Sequence, residues 1–200
     1  MKPGRIIGLL LLAIACQSNH VDSTVKIEAV TAFVVNPVST WPKADGFDFP
    51  VGPPSAKGYY NAQPFGKNFH LGDDWNGVGG GNTDMGDSVF CIAHGVVLEA
   101  ENLGGGWGNV LRIGHRMPSG NKFKAVESLY AHLLDFSVQP GDTLRRGDFV
   151  GRIGNANGQY LAHLHLEIRD TVGQELGGGY SQHIQGYLDP TMFIKKNRPH

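Results

Sequence analysis

The sequence predicts a mainly β domain with long loops. Three observations carry this. Glycine is abundant, at 29 of 200 residues. Many short apolar runs are bounded by Gly, Asn or Asp, as strands between turns are. No long stretch has clean helical periodicity. The length suits one domain with short extensions. Lys and Arg number 17 against 18 Asp and Glu, so composition offers no case for a nucleic-acid partner.

Taken in order, Lys2 and Arg5 precede an apolar run from Ile6 to Ala15. The run is too short to span a bilayer, and residues 1–15 have the anatomy of a secretory signal. It ends Ala13-Ile14-Ala15-Cys16, which resembles a bacterial lipobox. Cys16 is therefore the expected lipidation site of an exported cell-envelope protein, anchored to a bacterial membrane by its acyl chains. Gln17 points to an outer membrane, facing the periplasm, if the source is diderm. An ordinary signal peptide cleaved near Ala15 is the alternative. Cys91 is then left alone in the apolar run Val89-Phe90-Cys91-Ile92-Ala93 as a small buried hydrophobe, and no disulfide is expected.

Residues 16–58 read as a tether and N-terminal extension. Val25 to Val35 is apolar enough for a strand or two. Pro37, Pro42, Pro50, Pro53 and Pro54 argue for an extended path over the domain surface. The segment is long enough to cover a groove in the domain that follows. That domain is expected over 59–195, with 196–200 as a tail. Tyr59 and Tyr60 either begin it or line its groove.

Gly77-Val78-Gly79-Gly80-Gly81-Asn82 is a flexible loop expected to border the groove. It is not a phosphate loop, since no G-K-[ST] and no helix pattern follow. Val89 to Ala100 reads as strand, turn, strand, with His94-Gly95 at the turn. Gly104 to Asn109 forms a turn before the strand Val110 to His115, where His115 is expected to face solvent. Ser128 to Leu133 is another strand. Val138 to Asp142 is a turn, and Arg145 and Arg146 read as solvated turn charges. His183 and His200 fall outside every motif.

Three loci carry the chemistry. His70-Leu71-Gly72-Asp73-Asp74 sets a carboxylate four residues after a histidine. Leu129-Tyr130-Ala131-His132-Leu133 places a histidine in an apolar strand. Ala162-His163-Leu164-His165-Leu166-Glu167-Ile168-Arg169 alternates strictly, so Leu164, Leu166 and Ile168 share one strand face and His163, His165, Glu167 and Arg169 the other. Two histidines two apart on a strand lie about 6–7 Å apart at Cα, which lets one bind a metal while the other faces substrate. A polar face that merely happens to carry two histidines is the bland alternative. Two His and one Asp with an open position form a ligand set of catalytic zinc; the H-E-x-x-H motif is absent.

His70-x-Gly72-x-Asp74, Tyr130-Ala131-His132-Leu133 and His163-Leu164-His165-x-Glu167, in that order, resemble the lysostaphin/LytM family of zinc metalloendopeptidases, which cut peptide bonds in bacterial peptidoglycan. The resemblance runs from about Tyr60 to Ile194. It also includes Gly106, Gly108 and Asn109 before a strand, a G-D-x-V…I-G hairpin at 147–154, and Leu188-Asp189-Pro190-Thr191-Met192-Phe193. It implies a compact antiparallel β-sheet domain with a metal-bearing groove. It implies Zn2+ as cofactor, held by His70, Asp74 and His165, and a zinc-activated water assisted by catalytic His132 and His163. Asp73 is the competing carboxylate, or else orients a ligand imidazole. Glu167 is expected to support the ligands, with general base as its second role. Tyr160 and Leu161 depart from the small residues the family usually carries before H-x-H, which bears on substrate preference. The implied partner is a peptidoglycan peptide, with D-alanyl–diaminopimelate cross-links suggested by the compartment. Three other readings stand beside this one: a non-catalytic cell-wall module that binds or activates another murein hydrolase, a metalloendopeptidase for Gly-rich or other proteins, and an extracellular metal-binding protein with no hydrolysis, which would not need His132 and His163.

Overall fold

The computed structural model describes residues 37–199. The signal segment, Cys16 and the apolar run 25–35 lie outside the described residues. The described residues form eleven strands, one α-helix and short helical turns. The strands are β1 (Tyr59–Gln63), β2 (Asp73–Gly77), β3 (Ser88–Phe90), β4 (Gly95–Asn102), β5 (Asn109–Ser119), β6 (Lys122–Leu133), β7 (Asp135–Phe136), β8 (Thr143–Leu144), β9 (Phe149–Arg152), β10 (Leu164–Arg169) and β11 (Tyr187–Leu188); the helix is α1 (Pro190–Lys196).

The main sheet runs β1–β2–β10–β6–β5–β4–β8, with β11 paired to the end of β10, and β3–β9–β7 form a small second sheet. These strands all pair antiparallel, as expected of a mainly β fold of this kind. The long β5–β6 hairpin turns through Gly120-Asn121 between the paired Ser119 and Lys122. Gly120 has φ 58°, the left-handed conformation that a two-residue hairpin requires. Asp189 caps α1 by accepting a hydrogen bond from Met192 N–H at 2.8 Å, and Pro190 fills the first turn, a sequence-local helix start.

Strand alternation sends Leu164, Leu166 and Ile168 into the main core beside Tyr130, Leu111 and Ile113. The opposite face of β10 is buried too: His165, Glu167 and Arg169 are 3%, 0% and 0% exposed. A second apolar cluster of Val110, Leu129 and Ala131 lines this face, with Trp107 and Leu176 packed against it.

Residues 37–58 are part of the packed domain. Trp41, Ala44, Phe47, Phe49 and Val51 are all buried, and the last four belong to the main core. An extended, proline-punctuated path leaves such side chains free to insert into the sheet. Arg146, expected to be a solvated turn charge, ion-pairs with Asp45 at 3.0 Å and with Asp48, and so ties this segment down. Phe47 N–H donates to Asn197 O at 2.8 Å, so the tail is packed as well. The boundary expected at 59 therefore divides one packed core, and the one at 195 falls inside α1.

Candidate metal centre

A groove of about 520 Å³ opens beside β10, lined by His70, Asp74, His132, His163 and His165, with Gln63, Trp107, Tyr160 and Tyr180 among its other residues. The sequence-predicted His and Asp residues of all three loci thus meet in one place. Residues 37–58, Tyr59, Tyr60 and the 77–82 loop do not line it. Tyr59 instead donates its hydroxyl to Asp87 at 2.7 Å, and Asn82 braces the approach to β10 by accepting from Ala162 N–H at 2.7 Å.

Strand register and backbone geometry set the place of each candidate side chain. In the β2–β10 pairing, Asp74 lies opposite His165 and Asp73 opposite Leu166. Asp73 therefore faces the other side of the sheet. There it accepts from Phe65 N–H at 2.9 Å, Thr191 N–H at 3.0 Å and the Thr191 hydroxyl at 2.6 Å, so it orients no imidazole. A Cβ on Gly72 would lie 2.5 Å from Leu166 O and 2.8 Å from His165 Cε1, so only glycine lets the His70 segment pass so close. His132 sits on a bulge. Asn109 and Leu111 of β5 pair with Leu133 and Tyr130, which gives β6 one extra residue, and His132 has φ 62°. A bulge re-aims a side chain in this way. Asn109 clamps it by donating to the carbonyls of Leu133 and Leu134, both at 2.9 Å.

His70 Nε2, His165 Nδ1 and Asp74 Oδ1 form a triangle with sides of 3.1, 2.9 and 3.3 Å. The far nitrogens carry protons: His70 Nδ1–H donates to Gln63 O at 3.1 Å, and His165 Nε2–H donates to Glu167 at 3.1 Å. Two imidazole nitrogens and a carboxylate oxygen thus converge on one point, an arrangement that could hold a metal ion. Tetrahedral zinc with bonds of about 2.0–2.1 Å spaces its ligand atoms by about 3.3–3.4 Å, so the donor triangle, slightly tighter than this, fits zinc with a small opening. His132 Nδ1–H donates to Trp107 O at 3.3 Å and His163 Nδ1–H to Leu161 O at 2.8 Å, which leaves Nε2 of both for the groove. Their ring centroids are 4.7 Å apart.

Burial acts to raise the Asp74 carboxyl, but hydrogen bonds from His165 and His70 outweigh it and hold the group well below the usual carboxylate range. Burial likewise opposes a charged His165, and the Asp74 and Glu167 carboxylates overcome it, raising the imidazole to about 9. The cluster attracts a cation, so proton and metal compete for Nδ1. His132 is shifted the other way: burial first, then the neighbouring His165 and His163, lower it to about 3. It is neutral at neutral pH, with Nε2 unprotonated.

Sequence reasoning missed Gln63, Trp107 and Tyr180. Gln63 and Trp107 orient imidazoles through main-chain carbonyls, which any residue supplies, so no side-chain pattern marks them. The Trp107 indole also donates to Gly177 O at 3.0 Å, and the Tyr180 ring lies 5.1 Å from His70. The bulk foreseen at Tyr160 stands 5.1 Å from the His132 ring and 5.9 Å from the His163 ring. His94 is no part of the groove; it accepts from Arg146 N–H at 2.9 Å. His115, expected to face solvent, is fully buried within β5 and bonded to Ser128 Oγ at 2.7 Å. The apolar run stops at Gly114, but the hairpin continues to Ser119 and keeps His115 inside.

An antiparallel β protein with a His/Asp/His cluster in a histidine-lined groove is the class that fold and site define. The model of peptidase family M23 matches residues 73–177, more than half of the chain, and the chain belongs to that family. The match includes Asp74, His132, His163 and His165; His70 lies just before it. Similar solved structures include a putative peptidase M23 from Pseudomonas aeruginosa (21% identity, 74% of this chain and 50% of that one, TM-score 0.52). A mutant catalytic domain of the prophage-encoded M23 protein EnpA from Enterococcus faecalis is also similar (20%, 72% and 95%, 0.50), as is the antimicrobial peptidase lysostaphin from Staphylococcus simulans (23%, 68% and 48%, 0.47). At these identities the likeness to the first two is one of fold. The chain spans about half the length of the Pseudomonas and Staphylococcus chains. None of the curated proteins matches.

Proposed function

We propose that this protein is a zinc-dependent endopeptidase that hydrolyses peptide bonds of bacterial peptidoglycan, in cross-links or stem peptides. The observation that carries the reading is the convergence of His70 Nε2, Asp74 Oδ1 and His165 Nδ1 in a groove that holds two further imidazoles. Those three atoms are the assigned zinc ligands. Zinc held there supplies a Lewis acid that polarises a scissile carbonyl and brings the pKa of a water to about 7.

The remaining work falls to the chain's own groups. With Nδ1–H engaged on a backbone carbonyl, Nε2 of His132 and of His163 is free to take the proton of the attacking water and return one to the leaving amine. The two imidazoles act as a pair on one reacting centre. Trp107, Tyr160 and Tyr180 with the open backbone of Gly178 and Gly179 form walls against which an extended peptide can lie. No Lys or Arg is among the described lining residues, so this reading holds the peptide by main-chain and apolar contacts. Export and membrane anchoring through Cys16 belong to the same reading, and loss of membrane partition in Cys16→Ser checks them.

The test is digestion of purified peptidoglycan, followed by chromatography with mass detection. Cross-linked muropeptides should disappear with zinc-loaded protein, persist with chelator, disappear again on zinc restoration, and persist with His163→Ala. The masses name the bond. Intact muropeptides from verified zinc-loaded protein would shift the assignment to a non-catalytic wall module or to an endopeptidase for other proteins.

A further inference from the structure

Behind His165 lies a row of buried charges that the reaction itself does not use. His165 Nε2–H donates to Glu167 Oε1. The other oxygen of Glu167 accepts from Arg169 Nε at 2.8 Å and Nη2 at 2.6 Å. Arg169 Nη1 donates to Gln174 O at 3.1 Å and lies 3.6 Å from Glu127. Glu127 accepts from Arg112 Nε at 2.9 Å and Nη2 at 3.0 Å, and from Gly173 N–H at 2.9 Å. Glu167, Arg169 and Glu127 are 0% exposed and Arg112 is 8% exposed. These side chains come from three adjacent strands and share one sheet face by register.

Burying four charges is not a route to stability in itself. Apolar side chains of similar volume often serve as well or better. What the row does supply is a fixed acceptor. A lone carboxylate at the Glu167 position, facing one imidazole, would have weak reason to hold one rotamer. The Arg169 fork removes that freedom, because its planar guanidinium grips one Glu167 oxygen through two nitrogens. Arg169 is itself held by Gln174 O, by Glu127 and against the Tyr187 ring, 5.2 Å from its centroid.

We infer that Arg169 is a positioning residue for the candidate metal site, fixing the Glu167 carboxylate in the one orientation that keeps His165 Nδ1 aimed at the metal position. The inference rests on the zinc reading proposed above. Partners that orient metal-ligating histidines typically contribute 10–100-fold in metal affinity.

The experiment is a double-mutant cycle on the full chain, with zinc affinity read by competition with a chromophoric chelator and folding checked by circular dichroism of the metal-free protein. Arg169→Met should weaken zinc binding by about tenfold or more, with Arg169→Lys intermediate. Glu167→Gln should weaken it similarly. In the Glu167→Gln background, Arg169→Met should add less than about a twofold change, since Arg169 acts through Glu167. A merely structural Arg169 would add its full effect there. If Arg169→Met alone fails to fold, Arg169→Lys and the charge-neutral double variant set against Glu167→Gln carry the same comparison. Wild-type zinc affinity in folded Arg169→Met or Arg169→Lys, or additive losses in the double variant, would overturn the inference. Absence of zinc binding by the wild-type chain would instead overturn the zinc reading itself.

Discussion

Asp74 and His165 are direct cross-strand partners, with Oδ1 and Nδ1 2.9 Å apart. The register of β2 against β10 thus decides which of two adjacent aspartates faces the groove, because neighbouring side chains on a strand point to opposite faces.

The two aspartates should therefore separate in experiment. Asp74→Asn should lower zinc affinity beyond the roughly 10–100-fold that loss of a supporting partner costs. Asp73→Ala should keep zinc binding but lose about 1–3 kcal/mol of stability, because Phe65 N–H and the two Thr191 donors lose a buried acceptor. Chelator competition and urea unfolding on both variants measure this; zinc loss in Asp73→Ala with retained binding in Asp74→Asn would reverse the assignment.

Gly72→Ala is a single methyl group aimed at the site. Its Cβ would press on Leu166 O and His165 Cε1, and overpacking of this kind costs about 1–3 kcal/mol. The expected outcome is a lower unfolding midpoint together with weaker zinc binding, because the displaced ring is a proposed ligand. A stable variant with wild-type zinc affinity would show that the His70 segment can retreat without consequence.

The fold class and the groove's histidines were legible in the sequence, because strand alternation and motif order survive in one dimension. Asp74 could be preferred over Asp73 only by resemblance; the physical reason is a register that no local pattern contains. The burial of His115 and the core role of Trp41 and Phe47 were not legible. Each depends on a partner far along the chain, and an extended segment reads the same whether it lies on a surface or plugs a sheet. The charged face of β10 was equally opaque, since alternation does not say what covers the polar side.

His115 gives a pH dependence away from the groove. Burial lowers its pKa to about 4 from an ordinary 6.5. The unfolded chain then binds more protons between those values, so stability is fully present above pH 6.5 and is lost as pH falls toward 4. At pH 5 this amounts to about 2 kcal/mol relative to pH 7. Urea unfolding at pH 7, 6 and 5 should show that loss, and His115→Gln should flatten it. Equal slopes in both proteins would assign the acid sensitivity to other groups.

Trp41 is 1% exposed, and its indole occupies the space that a Cβ on Gly114 of β5 would need. Trp41→Ala should therefore cost about 3–5 kcal/mol. Deleting everything before Tyr59 should remove Trp41, Phe47, Phe49 and Val51 from the core at once, and yield a chain that fails to fold. That outcome opposes the other possibility raised by the sequence, that the segment ahead of Tyr59 is a cover over the groove whose removal raises activity. Residues 37–58 line no part of the groove, so within the described chain only the core role has a structural basis. Circular dichroism and peptidoglycan digestion on the truncated protein decide between them: a cooperative unfolding transition with raised hydrolysis would restore the cover, whereas loss of the transition would show that the core needs residues ahead of Tyr59.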